Sequence, residues 1–137
     1  MRDNHLHTHF SYDSKAQFEE YLQAYSGEIV TTEHFDLSNP YSKQDDIPDY
    51  ESYCREIAKL NCLYDNRIKK GIEIGYYQPR EADIKAYLAG KDFDLKLLSV
   101  EWKRMSLPIL TMAFAFLRLV LRRSNGMKSS LLGFFKR

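Results

Sequence analysis

Apolar residues along the first hundred positions switch between a β-branched run and a spacing of three and four, which predicts alternating strands and helices. Residues 3–9 read as a short strand and 10–14 as the loop leaving it. Ser14 and Gln17 form a capping-box pair, and Phe18, Tyr21, Leu22 and Tyr25 supply one apolar helix face before Gly27. Residues 28–32 carry the run Ile29, Val30, Thr31 and Thr32 of a buried parallel strand, which delivers Glu33 and His34 at its end. Residues 35–48 hold Asp36, Ser38, Asn39, Pro40, Ser42, Asp45 and Asp46, the chemistry of a loop. A loop of that length has a functional reading and a flexible one.

Asp49 caps a helix to about Tyr64 whose face is Tyr53, Ile57, Leu60 and Tyr64. Asp65 and Asn66 turn the chain, and residues 67–77 read as a strand with Glu73 set among Ile68, Ile72 and Ile74. A buried carboxylate there requires a cation or a hydrogen-bond network. Pro79 opens a helix over 80–89, Gly90 ends it, and residues 94–100 form a fourth buried strand. The order β-α-β-α-β-α-β predicts a parallel α/β sheet with crossover helices, in which ligands gather at the C-terminal ends of strands.

The net charge of +1 suggests no nucleic-acid partner, but it averages two unlike halves. Residues 1–100 hold 18 acidic and 12 basic residues together with all four histidines, both cysteines and all ten tyrosines. Residues 101–137 hold Glu101 against eight Lys and Arg. The chain therefore divides near Val100, into a domain over 1–100 and a divergent apolar and basic tail over 101–137. Cys54 and Cys62, eight apart on a helix, lie about 12 Å apart and beyond disulfide reach. No signal peptide opens the chain, so the expected compartment is the cytoplasm.

Three histidines, His5, His7 and His9, fall at alternate positions, where strand residues share a face at about 7 Å spacing. That is a metal-site geometry, which Asp13 can join from the following turn; a histidine-rich surface strand is the plainer reading. His34 and Glu73 fall at or near the ends of the next two strands.

The series His5-x-His7, Asp13, Glu33-His34 and Glu73 resembles the opening motifs of the PHP (polymerase and histidinol phosphatase) superfamily. The phrases HLHTHFSYDS, IVTTEHFDLSNP, GIEIGYYQPRE and FDLKLLSV resemble its histidinol-phosphatase branch, over about residues 1–100. The resemblance implies a partial (β/α) barrel of the PHP type, about four parallel strands, with the metal cluster at its C-terminal mouth. It implies two or three divalent metals (Zn, Fe or Mn) in a complete site, held here by His5, His7, Asp13, His34 and Glu73. Hydrolysis of the small phosphorylated substrate L-histidinol phosphate, in histidine biosynthesis, would use a metal-activated water, with Glu73 bridging metals and Asp13 a further catalytic candidate. Glu33 falls behind the ligands, and His9 is either a substrate contact or a loop histidine at the mouth.

After residue 100 the family continues with histidine ligands, whereas this chain reads Val100-Glu101-Trp102-Lys103 and has no histidine after His34. Glu101 is the one local carboxylate available, and it cannot replace several missing groups. The resemblance therefore implies a truncated phosphatase of impaired activity, with residues 101–137 as a frameshifted tail or a natural extension. Alternative functions are a non-catalytic metal-binding fragment and a membrane- or partner-binding protein acting through the tail. Residues 107–121 are nearly all apolar, but fifteen helical residues span about 22 Å, short of a bilayer, so a tail helix packed on the sheet is expected. Four strands of a closed barrel leave sheet edges unpaired, a condition that favours self-association.

Overall fold

The computed structural model describes residues 3–100 and 133–134. The elements follow the expected order: β1 (Asp3–Leu6), α1 (Phe18–Ala24), β2 (Ile29–Asp36), α2 (Tyr50–Leu63), β3 (Ile68–Gly75), a 3-10 turn (Gln78–Arg80), α3 (Glu81–Leu88) and β4 (Leu95–Ser99). The two-residue strand β5 (Gly133–Phe134) pairs with β4, so the sheet order is β1-β2-β3-β4-β5 and every pairing is parallel. These strands form a curled half-barrel with helices, the partial (β/α) barrel expected. The helix expected over 107–121 lies outside the described residues, as does Glu101. Among the described residues no helix is long and apolar enough to cross a membrane.

Register fixes which side chains share a face. In the β2–β3 ladder His34 stands opposite Glu73 and Asp36 opposite Gly75, and Glu73 stands opposite Leu97 in the β3–β4 ladder. Side chains alternate along a strand, so His34, Asp36 and Glu73 project from one face while Thr31, Glu33 and Phe35 project from the other. That second face meets the helices. Phe35, Ile72 and Ile74 pack there with Phe18 of α1, Tyr53 and Ile57 of α2 and Ile84 of α3. Ile72 and Ile74 are fully buried, each worth about 1.5–3 kcal/mol of apolar burial. A smaller cluster of Val30, Leu95 and Leu97 occupies the first face.

Several boundaries differ from the sequence reading for identifiable reasons. β1 stops at Leu6 because the His7 carbonyl turns to side chains, accepting the Tyr21 hydroxyl at 2.7 Å and the Ser14 hydroxyl at 3.0 Å. Ser14 is thereby committed, and the N-cap of α1 moves to Gln17, whose box partner is Glu20. β2 runs on to Asp36, since Asp36 and Asp46 exchange backbone hydrogen bonds of 2.9 and 2.8 Å. The β2–α2 loop is an organised turn: Asn39 and Asp46 are buried, and Asp46 accepts from Asn39 Nδ2 at 2.8 Å and from Ser42 Oγ at 2.5 Å.

Other punctuation falls as read. Asp49 caps α2 by accepting the Ser52 amide at 3.1 Å, Asp65 and Asn66 turn in the left-handed region, and Gly90 follows α3 at φ +75°. The cysteines of α2 are both free thiols. Arg67 ties α1 to the sheet by donating to the carbonyls of Gly27 (3.1 Å), Leu22 (3.4 Å) and Tyr25, a cation where the helix dipole favours one.

Candidate metal centre

Three segments converge at the C-terminal ends of β1, β2 and β3. His5 lies on β1 and His7 just beyond it, His34 lies two residues before the end of β2, and Glu73 lies two residues before the end of β3. One oxygen of Glu73, Oε2, is approached by three imidazoles: His5 Nε2 at 2.8 Å, His7 Nε2 at 3.5 Å and His34 Nδ1 at 3.8 Å. Asp13 reaches the other side of the cluster, with Oδ2 at 3.3 Å from His34 Nε2 and Oδ1 at 4.0 Å from His7 Nδ1. The carboxylate that the sequence left in need of a partner is thus surrounded by imidazole.

Two donor triads result, His5–His7–Glu73 and His7–Asp13–His34, each with donor atoms within 4.8 Å of one another. They share His7. Its ring stacks on His34 at 4.4 Å between centroids and tilts against His5 at 4.9 Å. Mixed imidazole and carboxylate donors are the set expected for zinc, iron or manganese. The fit shows most clearly at His34. Both of its ring nitrogens are buried and lack an acceptable hydrogen bond, although carboxylates stand nearby. A buried donor or acceptor left in that condition costs about 1–3 kcal/mol, and a cation is one way to satisfy it.

Protonation divides the stacked pair. Burial, reinforced by the neighbouring His34, pushes His7 down to about 4, so its imidazole is neutral at pH 7. Burial also acts against the His34 cation, but the carboxylates of Asp36, Glu73 and Asp13 outweigh it and hold that ring above its ordinary value. His7 is therefore a lone-pair donor at neutral pH.

Glu33 faces away from this cluster. It is 1% exposed and accepts the Thr8 amide at 3.0 Å, the Thr8 hydroxyl at 2.8 Å and the Ser11 hydroxyl at 2.5 Å. Ser11 Oγ in turn accepts the His34 amide at 3.0 Å. His9 stands apart as well. Its Nε2 lies 3.5 Å from Glu56 on α2 and its ring packs on Phe10, outside both triads.

Three contributors escaped the sequence reading. Asp36 Oδ2 lies 3.2 Å from His34 Nδ1, and its place two residues beyond His34 on a strand was a signal available in the sequence. Gly75 makes room for it, since a Cβ there would meet Asp36 Oδ1 at 1.8 Å. Tyr12, 44% exposed, sets its ring 5.0 Å from that of His34, and nothing in the local pattern marks it.

Comparison with known proteins agrees with this architecture. No family model matches the chain. A probable histidinol-phosphatase of Clostridium acetobutylicum is 36% identical over 103 residues, covering 72% of this chain and 38% of the relative. The crystal structure of histidinol phosphate phosphatase from Lactococcus lactis subsp. lactis, complexed with zinc, L-histidinol and phosphate, superposes with a TM-score of 0.66 at 28% identity. That match covers 72% of this chain and 39% of the neighbour, so the chain spans about two-fifths of the length of either protein. In sequence the chain is similar to a probable histidinol-phosphatase, and in fold it is similar to part of a histidinol phosphate phosphatase.

Proposed function

We propose that residues 1–100 form part of a divalent-metal phosphomonoesterase site of the histidinol-phosphatase kind, and that the chain as written binds metal but turns over histidinol phosphate poorly. The observation that carries this reading is the approach of His5, His7 and His34 to one oxygen of the buried Glu73. His5, His7 and Glu73 would hold one cation, and His34 with Asp13 would hold another beside it. Bound divalent metals in such sites activate water and neutralise phosphoryl charge.

The protein's own groups do the rest. Glu73 supplies a fixed negative charge between the imidazoles, His7 supplies a neutral ring at pH 7, and the α-helical layer behind β2 and β3 keeps the donors from moving apart. Glu33 positions the loop after β1 from behind. His9 is a loop histidine paired with Glu56.

The reading of poor turnover rests on the donors within residues 1–137, where no histidine follows His34 to add imidazole to the second triad. Under this reading residues 101–137 are a divergent apolar and basic tail by composition. The compartment under this reading is the cytoplasm, and β1, an edge strand among the described residues, favours self-association. Assay of the full 137-residue chain, loaded with zinc or manganese, against histidinol phosphate is the test. Turnover at or near background supports the impaired-fragment reading. Robust turnover lost in His7→Ala would instead make this chain a working phosphatase.

A further inference from the structure

Among the described residues, Ser11 links both histidine-bearing segments of the centre through one hydroxyl. It is 4% exposed, and its backbone is fixed by the turn in which its amide donates to the Thr8 carbonyl at 2.9 Å. Its hydroxyl meets three groups: Glu33 Oε2 at 2.5 Å, the His34 amide at 3.0 Å and His7 Nδ1 at 3.5 Å. A hydroxyl has one proton and two lone pairs. The His34 amide can only donate, so it takes one lone pair. Glu33 as a carboxylate can only accept, and at 2.5 Å it takes the proton. The one capacity left toward His7 is the second lone pair. A nitrogen facing that lone pair is satisfied as N–H, and Asp13 Oδ1, 4.0 Å from the same nitrogen, is an acceptor too.

We propose that Ser11 is a positioning residue which, with its proton committed to Glu33, holds His7 as the Nδ1–H tautomer and so turns the Nε2 lone pair toward the His5–Glu73 triad. This rests on the metal-site reading above. It also resolves which triad His7 serves. An imidazole protonated at Nδ1 ligates through Nε2 alone, so His7 joins His5 and Glu73, while Asp13 and His34 serve the neighbouring position without it. The same hydroxyl spaces His34 by accepting its amide, which couples the two ligand-bearing segments through one buried oxygen. Outer partners of this sort fix the tautomer and orientation of ligating histidines.

Competition at Nε2 sharpens the inference. Glu73 Oε2 lies 3.5 Å from that nitrogen and would accept a proton from it, but His5 Nε2 stands closer to the same oxygen at 2.8 Å. The metal-free ring therefore reports which neighbour decides.

With only four histidines, the ring nitrogens of the full 15N-labelled chain can be assigned by long-range 1H–15N correlation at pH 8, with and without zinc. His7 is expected to show a protonated Nδ1 and an unprotonated Nε2 without metal, and Nε2 is expected to shift on zinc addition. In Ser11→Ala the tautomer should move toward Nε2–H, and zinc affinity, read by competition with a chromophoric chelator, should fall about 10–100-fold. Ser11→Thr, which keeps the hydroxyl, should restore both. A wild-type His7 protonated at Nε2 without metal overturns the proposal, as does a folded Ser11→Ala chain with unchanged tautomer and affinity. If Ser11→Ala does not fold, the wild-type spectrum alone still decides. Should the wild type bind no zinc, the metal reading falls, while the metal-free tautomer judges Ser11 separately.

Discussion

Replacing Glu33 by alanine removes the shared acceptor of three buried donors: the Thr8 amide, the Thr8 hydroxyl and the Ser11 hydroxyl. Thr8 is fully buried and Ser11 nearly so, so bulk solvent does not reach the stranded donors directly. Each stranded donor costs about 1–3 kcal/mol. Two of the three are hydroxyls that can rotate, whereas the amide cannot. There is also an opposing gain, because burial raises the Glu33 carboxyl against the pull of Ser11 and Thr8, and alanine relieves that desolvation. The net expectation is a loss of about 3 kcal/mol, a large share of the roughly 5–15 kcal/mol that holds a domain together. With a urea slope of about 1–3 kcal/mol/M, the midpoint followed by far-ultraviolet circular dichroism should drop by about 1–3 M. Glu33→Gln keeps one acceptor oxygen and should cost less, while leaving the number of bound zinc ions unchanged because Glu33 faces away from the donors. An unchanged midpoint in Glu33→Ala would refute the claim that this carboxylate anchors the loop after β1.

Other consequences concern protons and space. His7 is held at about 4 by burial and His34, against 6.5 unperturbed, so between these values the unfolded chain binds a proton that the folded one refuses. Stability of the metal-free protein should therefore fall as pH drops from about 6.5 to about 4, and less steeply in His7→Gln; identical urea midpoints against pH for the two would contradict this. Gly75→Ala forces the Asp36 carboxylate, the free end of its side chain, away from His34. It should leave the urea midpoint nearly unchanged but weaken zinc binding about 10-fold in a chelator competition, and unchanged affinity would show that Asp36 does not orient His34. Zinc at a hundred times its dissociation constant should add about 2.7 kcal/mol to stability, reversed by EDTA; no change in melting temperature would count against a native-state site.

The sequence was most informative where a residue's environment is set by strand register. His34 and Glu73 sit opposite each other in a parallel ladder, and the order of β-branched runs and amphipathic helices was enough to bring them to one end of the sheet. It was less informative where side chains compete with backbone for the same partner. Ser14 looked like a helix cap but serves the His7 carbonyl, and His7 itself lies past the end of β1, so the even alternation of His5, His7 and His9 along one strand does not hold. His9 turns to Glu56 accordingly. Asp36 was read as loop chemistry because its neighbours Ser38, Asn39 and Pro40 are, while the backbone exchange with Asp46 that extends β2 depends on a residue ten positions away. Tyr12 and Ser11 carry no pattern at all; their contacts arise from the path of the turn.

The central claim is that His5, His7, Asp13, His34 and Glu73 are assembled to hold divalent metal, and elemental analysis after zinc loading and desalting of the full chain tests it most directly. Zinc retained at one or more ions per chain, and reduced in a folded His7→Ala variant because the His5–Glu73 position loses one of its imidazole donors, is the predicted result. A folded wild-type chain that retains no zinc above background would contradict it.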